Sequence, residues 1–308
     1  MITKGNDTKV QNEVIAQTIT DETAKRLKLA RLFPKQEIQE NSDYYTYFRQ
    51  NINLDEAINR GLLGEAKDIA PGATLQELNV RKPISETISI DTIGGVLNVS
   101  AQMLDSNLIS VNDMLQDVGI LIGRSIEKAA IDMIMNSSKV STYNFQAGDD
   151  TGMTILKAQE KFKESAGSFT NLNSMAVSYK SLTTLKSDLF SSNRQVEPVE
   201  HIQSYYGVDN IDILGTAVCD GGSEMGDKTY IGMDYINPGM KLLYSRISGT
   251  TVAPLGPDGD VYDFYPLIEF MRKDIRDELP MYTKLFILTS VGVLMNAPNR
   301  IIKGKFRA

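Results

Sequence analysis

The stretch "ETISIDTIGGVLNVSAQMLDSN", Glu86 to Asn107, decides how this chain is read. Its first half alternates apolar and polar residues with the two-residue period of a strand, placing Ile88 and Ile90 on one face. The Gly94-Gly95 pair would suit a phosphate loop only if a helix began directly after it. "VLNVS" continues as strand, so the pair predicts a bulge or sharp bend at the base of a ribbon. Upstream, "SDYYTYFRQ" (Ser42 to Gln50) is aromatic and rich in strand formers. Between the two lies "NINLDEAINRGLLGEAKDIAPGATLQELNV", in which Pro71-Gly72 suits a tight turn. The residues from Lys35 to Ser100 thus predict a long two-stranded excursion with an elaborate tip.

Downstream the period changes. In "SVNDMLQDVGILIGRSIEKAAIDMIMN" apolar residues fall at Val111, Leu115, Val118, Ile122, Ile126, Ala129 and Met133, steps of three and four that define one helix face. Met114, Leu121 and Ile134 widen the stripe, and Ser110 with Asp113 makes a near capping box at the expected start. At about 1.5 Å per residue this is a rod on the order of 40 Å, expected to lie across a sheet. Before the ribbon, "TDETAKRLKLARLFP" predicts a short helix with Thr20 as N-cap. Asp21 and Glu22 stand at its start and Lys25, Arg26, Lys28 and Arg31 toward its end, the order that complements a helix dipole. The same basic end could also serve as an arm touching nucleic acid.

After the long helix, Asn136 to Gly152 is a polar break. Residues 153 to 255 mix helical segments ("ILKAQEKFKES", "SYKSLTTLKSDLF") with strand-like ones ("SMAVS", "IDILGTAV", "KTYIGMDY", "MKLLYS"), which predicts an inserted α/β or α+β lobe. Tyr282 to Met295 has strong strand propensity and is expected to return to the sheet under the long helix.

Composition bounds the function. The chain has 308 residues, 42% of them hydrophobic, with a formal charge of -7. An acidic balance disfavours a protein whose main task is to grip phosphates, since that affinity comes from clustered Lys and Arg. No run approaches the roughly 18 apolar residues of a membrane span and the first 30 residues are too polar for a signal peptide, so folding in a cytoplasm is expected. One cysteine, Cys219, rules out an intrachain disulfide, and its place after "IDILGTAV" predicts a buried, inert thiol. One histidine, His201, in the polar "NRQVEPVEHIQSYYG", leaves a catalytic triad a single possible centre, and no serine stands in a Gly-x-Ser-x-Gly context. Two acidic loops, one with Asp220, Glu224 and Asp227, the other with Asp258, Asp260 and Asp263, lack the residue order of a helix-loop-helix calcium site and are expected to be turns. No catalytic residue, cofactor or metal site is expected.

Three stretches together resemble one family: "SETISIDTIGGVLNVSAQMLDSN", "IGRSIEKAAIDMIM" and "PNRIIKGKF" (Pro298 to Phe306), in this order across nearly the whole chain. They are similar to the major capsid proteins of tailed bacteriophages, with the Hong Kong 97 fold that encapsulin shells share. The resemblance implies an α+β fold with an N-terminal arm (1–34), an extended β-hairpin loop (35–93), a peripheral domain on a long spine helix (94–150 with 256–308, the helix about 110–136) and an axial α/β domain (151–255). It implies a non-enzymatic protein that assembles with itself, as pentamers and hexamers, into an icosahedral shell. Such a shell encloses double-stranded DNA without sequence-specific binding, works with portal and scaffolding proteins, needs no membrane and is built in the host cytoplasm as part of a virion. The alternative is an encapsulin-type compartment enclosing a cargo enzyme. On this reading the ribbon holds a neighbouring copy, and the tip residues Leu62, Leu63, Glu65, Lys67, Asp68 and Ile69 are the candidate inter-subunit contacts: too few apolar groups for a local core, with polar partners beside them. Members that crosslink covalently join a loop lysine to an asparagine on a neighbour. Lys67 and Lys82 could serve as donors, but "RDELPMYTKL" has no asparagine at the acceptor position, so no crosslink is expected.

Overall fold

The computed structural model describes residues 15, 17–49, 84–100, 108–149, 151–167, 170–191, 211–213, 215–247, 251–252, 268–275 and 282–306. These form two compact units. One draws on the chain up to Tyr45, on Ile88–Met133 and on Lys241–Leu294; the other on Thr46–Thr87, Ile134–Met240 and the chain from Met295 onward.

The first unit is built on a six-stranded sheet. Its order is β1 (Lys35–Glu37), β10 (Met240–Ser245), β13 (Tyr282–Met295), β12 (Glu269–Ile275) and β11 (Thr251–Val252), with β4 (Asp91–Ser100) also on β13. Burial along β13 alternates from Thr283 to Leu288 and is then continuous to Met295, so this strand begins with one covered face and ends with two. Leu285, Ile287 and Val291 from β13 and Val99 from β4 are buried, as are Leu115, Ile122, Ile126 and Ile131 from the long helix α2 (Leu108–Asn136).

Four local expectations are corrected here. First, Gly94-Gly95 is not a bulge: the β4·β13 register runs unbroken from Ser100↔Tyr282 to Asp91↔Val291. The chain breaks at Ile90 instead, between β3 (Ile84–Ser89) and β4, where the Ile90 amide donates to Asp43 O at 2.9 Å. Gly94 serves close packing, since a Cβ there would strike the Ile287 carbonyl oxygen and stand 2.8 Å from Leu288 Cα. Second, α2 starts at Leu108, so Ser110 lies inside it rather than capping it. Third, Leu121 is 62% exposed and Ala129 is also exposed, while Gly119, Gly123 and Glu127 are buried. The buried arc is turned toward the small residues because another helix lies on them. Fourth, that helix, α1 (17–26), begins before Thr20, which is buried within it. Ile19 in this first described turn is fully buried, and Gln17 Nε2 donates to Asp21 Oδ1 at 2.8 Å one turn on. A short 3-10 turn, Ala30–Leu32, follows.

The second unit has its own six-stranded sheet. The order is β5 (Ser141–Thr142), β14 (Ile301–Lys305), β9 (Thr229–Met233), β6 (Ser174–Val177), β8 (Thr216–Asp220) and β7 (Ile211–Ile213). Helices α3 (Thr151–Ala166) and α4 (Tyr179–Ser191) supply Ile155, Phe162, Leu182 and Leu185 to a core with Met175, Val218, Tyr230 and Ile302. "IDILGTAV" is a tight antiparallel pair turning at Gly215, whose φ of 80° favours glycine. Two segments join sheets other than those expected from their sequence neighbourhoods. "MKLLYS" becomes β10 of the first sheet, and "PNRIIKGKF" supplies β14 of the second. Lys303 on β14 also caps the end of α2: its Nζ donates to Ile134 O, Met135 O and Ser137 O at 3.2, 2.7 and 2.6 Å, and Ile134 O accepts from the Ser137 amide as well.

Candidate assembly surface

Strands β2 (Tyr44–Arg49) and β3 form a two-stranded sheet of their own. Their alternation sorts five consecutive residues, "YYTYF", onto two faces. Tyr45 and Tyr47 are half-buried: Tyr45 Oη accepts a bond from Gln36 Nε2 at 2.8 Å, and Tyr47 Oη donates to Glu86 Oε2 at 2.9 Å. Glu86 Oε1 in turn accepts from Lys139 Nζ at 3.2 Å. The other face carries Tyr44 and Phe48, 68% and 69% exposed, on either side of Thr46. The Thr46 and Thr87 hydroxyls bond across the strands at 3.2 Å, and Ser85 and Ser89 continue that exposed face on β3. The ribbon is therefore tied down on one side by polar bonds and presents two large aromatics to solvent on the other. An isolated two-stranded ribbon is marginal in water, and exposed aromatics on such an element gain from a covering surface.

Leu62, Leu63, Glu65, Lys67, Asp68 and Ile69, with Lys82, lie outside the described residues, as do His201 and the loop of Asp258, Asp260 and Asp263. The surface residues that sequence reasoning missed are Tyr44 and Phe48. Their signal was present, since the run "YYTYF" puts aromatics on both faces of a strand.

Cys219 is fully buried in β8, its Sγ 3.3 Å from Met175 O. The acids of the nearer loop are engaged separately. Asp220 Oδ1 accepts from the Gly222 amide at 2.9 Å, Asp227 pairs with Lys180 at 2.8 Å, and Glu224 accepts from the Ser223 hydroxyl at 3.3 Å. Among the described residues no group of three His, Cys, Asp or Glu side chains is placed to hold a metal ion. Asp149, a carboxylate of the second unit, is structural. Lys157 Nζ and Tyr143 Oη each donate to it at 2.6 Å, and these bonds, Lys157 first, hold it below the usual carboxylate range.

A second feature missed in the sequence is Glu127, 1% exposed on α2. Its carboxylate accepts three consecutive backbone amides of the arm: Lys28 at 3.2 Å, Leu29 at 2.6 Å and Ala30 at 3.1 Å. Burial pushes its pKa from the ordinary 4.5 up to about 7, with the three amides and the Lys28 charge pulling the other way. One turn and two turns earlier on the same face, Gly123 and Gly119 let α1 approach closely. A Cβ at Gly123 would lie 2.7 Å from Thr23 O, and one at Gly119 2.8 Å from Ile19 O. Thr23 Oγ1 donates to Gly119 O at 3.1 Å. Glu127, being charged, and the glycines, being nearly neutral in hydropathy, left no mark on a pattern built from large apolar residues.

No protein-family model matches the sequence, and no curated protein matches it. Solved structures do. The capsid of an empty GTA particle aligns with a TM-score of 0.58 at 12% identity, covering 92% of this chain and 90% of that one. A structure from Microbacterium phage Oxtober96 aligns at 0.56 and 10%, covering 91% of both chains. The SrpI encapsulin of Synechococcus elongatus aligns at 0.53 and 8%, covering 90% of this chain and 86% of that one. The chain has the Hong Kong 97 fold, α+β in class.

Proposed function

We propose that this chain is the major capsid protein of a tailed phage or prophage, a non-enzymatic subunit that assembles through pentamers and hexamers into an icosahedral shell around double-stranded DNA. The observation that carries the reading is the outer face of the β2–β3 ribbon, with Tyr44 and Phe48 uncovered on a chain of this fold. A second copy is the partner that an aromatic ribbon face needs, and Leu62, Leu63, Glu65, Lys67, Asp68 and Ile69 are further candidate contacts by their composition. On this reading the arm is 1–34, the extended loop 35–93, the peripheral domain 94–150 with 256–308 and the axial domain 151–255. The acidic balance suits a wall that must not trap the packed genome. Portal and scaffolding proteins are the further partners, and assembly takes place in the host cytoplasm.

The likeness to an encapsulin supports one rival, a compartment around a cargo enzyme. Expression of the full chain, alone and with a scaffolding protein, followed by electron microscopy and measurement of nucleic acid content, tests both. Closed shells that need a scaffold and a portal to fill with DNA support the phage reading. Closed, DNA-free shells formed by the chain alone favour the compartment, and a monomer under all conditions overturns both.

A further inference from the structure

The contact between the arm (17–32) and α2 has an unusual composition. It buries a carboxylate, Glu127, 1% exposed. Among the described residues the carboxylate accepts three backbone amides, all from the segment it holds. On the arm, Lys28 is the charged group that acts on Glu127; Arg26, whose Cβ lies over Gly123, is exposed, and Arg31 is half-buried. On its own helix the nearest charged residues in sequence, Arg124, Lys128 and Asp132, are exposed.

From this geometry we propose that the arm is a proton-coupled strap, clasped on the long helix by Glu127, and that its release into solvent is accompanied by loss of a proton from that carboxyl group. With the arm in place the carboxyl is buried under it. With the arm away the same group meets water, loses the three amides and returns to ordinary carboxylate behaviour. The sign follows from the two affinities. The strapped form binds the proton up to about pH 7 and the released form only up to about 4.5, so acid favours the strapped arm. The added stability is full below about pH 4.5 and is lost as pH rises through about 7. Between pH 5.5 and 8.0 the closing equilibrium should weaken about 30-fold. The inference stands on the arm contact alone, whether or not the chain builds shells.

Hydrogen exchange on the full chain tests it, with rates corrected for the intrinsic pH dependence of exchange. Peptides covering Lys28, Leu29 and Ala30 should lose about 30-fold in protection between pH 5.5 and 8.0, while peptides covering β6 in the second unit should not. Glu127→Gln keeps the shape and an acceptor oxygen but does not titrate in this range, so its arm protection should be independent of pH. Protection that is flat with pH in the wild type overturns the proposal, and so does the same pH dependence persisting in Glu127→Gln. The wild-type profile decides the matter if that variant does not fold.

Discussion

Glycine shows how a single residue's worth depends on what stands beside it. At Gly123 an alanine would gain about 1 kcal/mol of helix propensity, but its methyl would meet Thr23 O at 2.7 Å and Arg26 Cβ at 2.8 Å. Overpacking of this kind costs roughly 1–3 kcal/mol, and the backbone atom cannot turn aside, so Gly123→Ala should destabilise. Denaturant unfolding checks this, and a rise in midpoint would contradict the close helix seat. The adjacent pair on β4 separates the two cases more sharply. Gly94 has no room, whereas a Cβ at Gly95 meets nothing within 4 Å. Gly95→Thr should therefore be neutral or stabilising by up to about 1 kcal/mol through strand propensity, while Gly94→Thr should be among the most damaging exposed-strand changes.

At the scale of elements, the ribbon and the long helix make opposite demands. Phe48 is 69% exposed, so Phe48→Asp should change stability by no more than about 0.5 kcal/mol while preventing closed shells. Melting and electron microscopy on one preparation read both effects, and normal shells from this variant would remove the ribbon face from the assembly contact. Ile122, 2% exposed at the middle of α2, behaves otherwise: Ile122→Pro breaks the helix at about 3 kcal/mol or more before any lost packing, and no cooperative melt should remain. Both elements were legible from spacing, because strands and helices bury residues at periods of two and 3.6. What spacing could not supply was the partner across each face. Leu121 and Ala129 fit the helical stripe yet face solvent, since the arm drew the buried side toward Gly119, Gly123 and Glu127. Ser110 looked like a cap because the residues before it gave no helical period, and α2 nevertheless begins at Leu108. The tip contacts remain a proposal from composition, whereas Tyr44 and Phe48 rest on placement.

For the molecule as a whole, sheet membership was the least legible level. β10 and β14 differ little in pattern from their sequence neighbours, and pairing between residues far apart leaves no local period to read. The second sheet contains β9 and β14, with Ile301↔Met233 and Lys305↔Thr229 opposite one another, and β14 also pairs with β5. Residues 134–240 expressed alone would lack the strand that stands between β5 and β9. They should not melt cooperatively, and joining residues 295–306 through a flexible linker should restore the transition. A cooperative melt of the shorter fragment would mean that β14 only decorates a sheet already complete.

That interior position of β14 also sets a schedule for synthesis. At roughly 5–20 residues per second, the stretch from Met233 to Ile301 takes about 3–14 s to emerge after β9 has been made. Throughout that interval β9 has one edge without its native neighbour, and Tyr230, whose ring packs 5.0 Å from that of Phe306, lacks its cover. On a polysome, where growing copies lie side by side, the open edge is a site for pairing with the wrong chain. Slowed translation or raised temperature during expression should therefore increase the insoluble fraction, through an interval of exposure that the finished subunit no longer has.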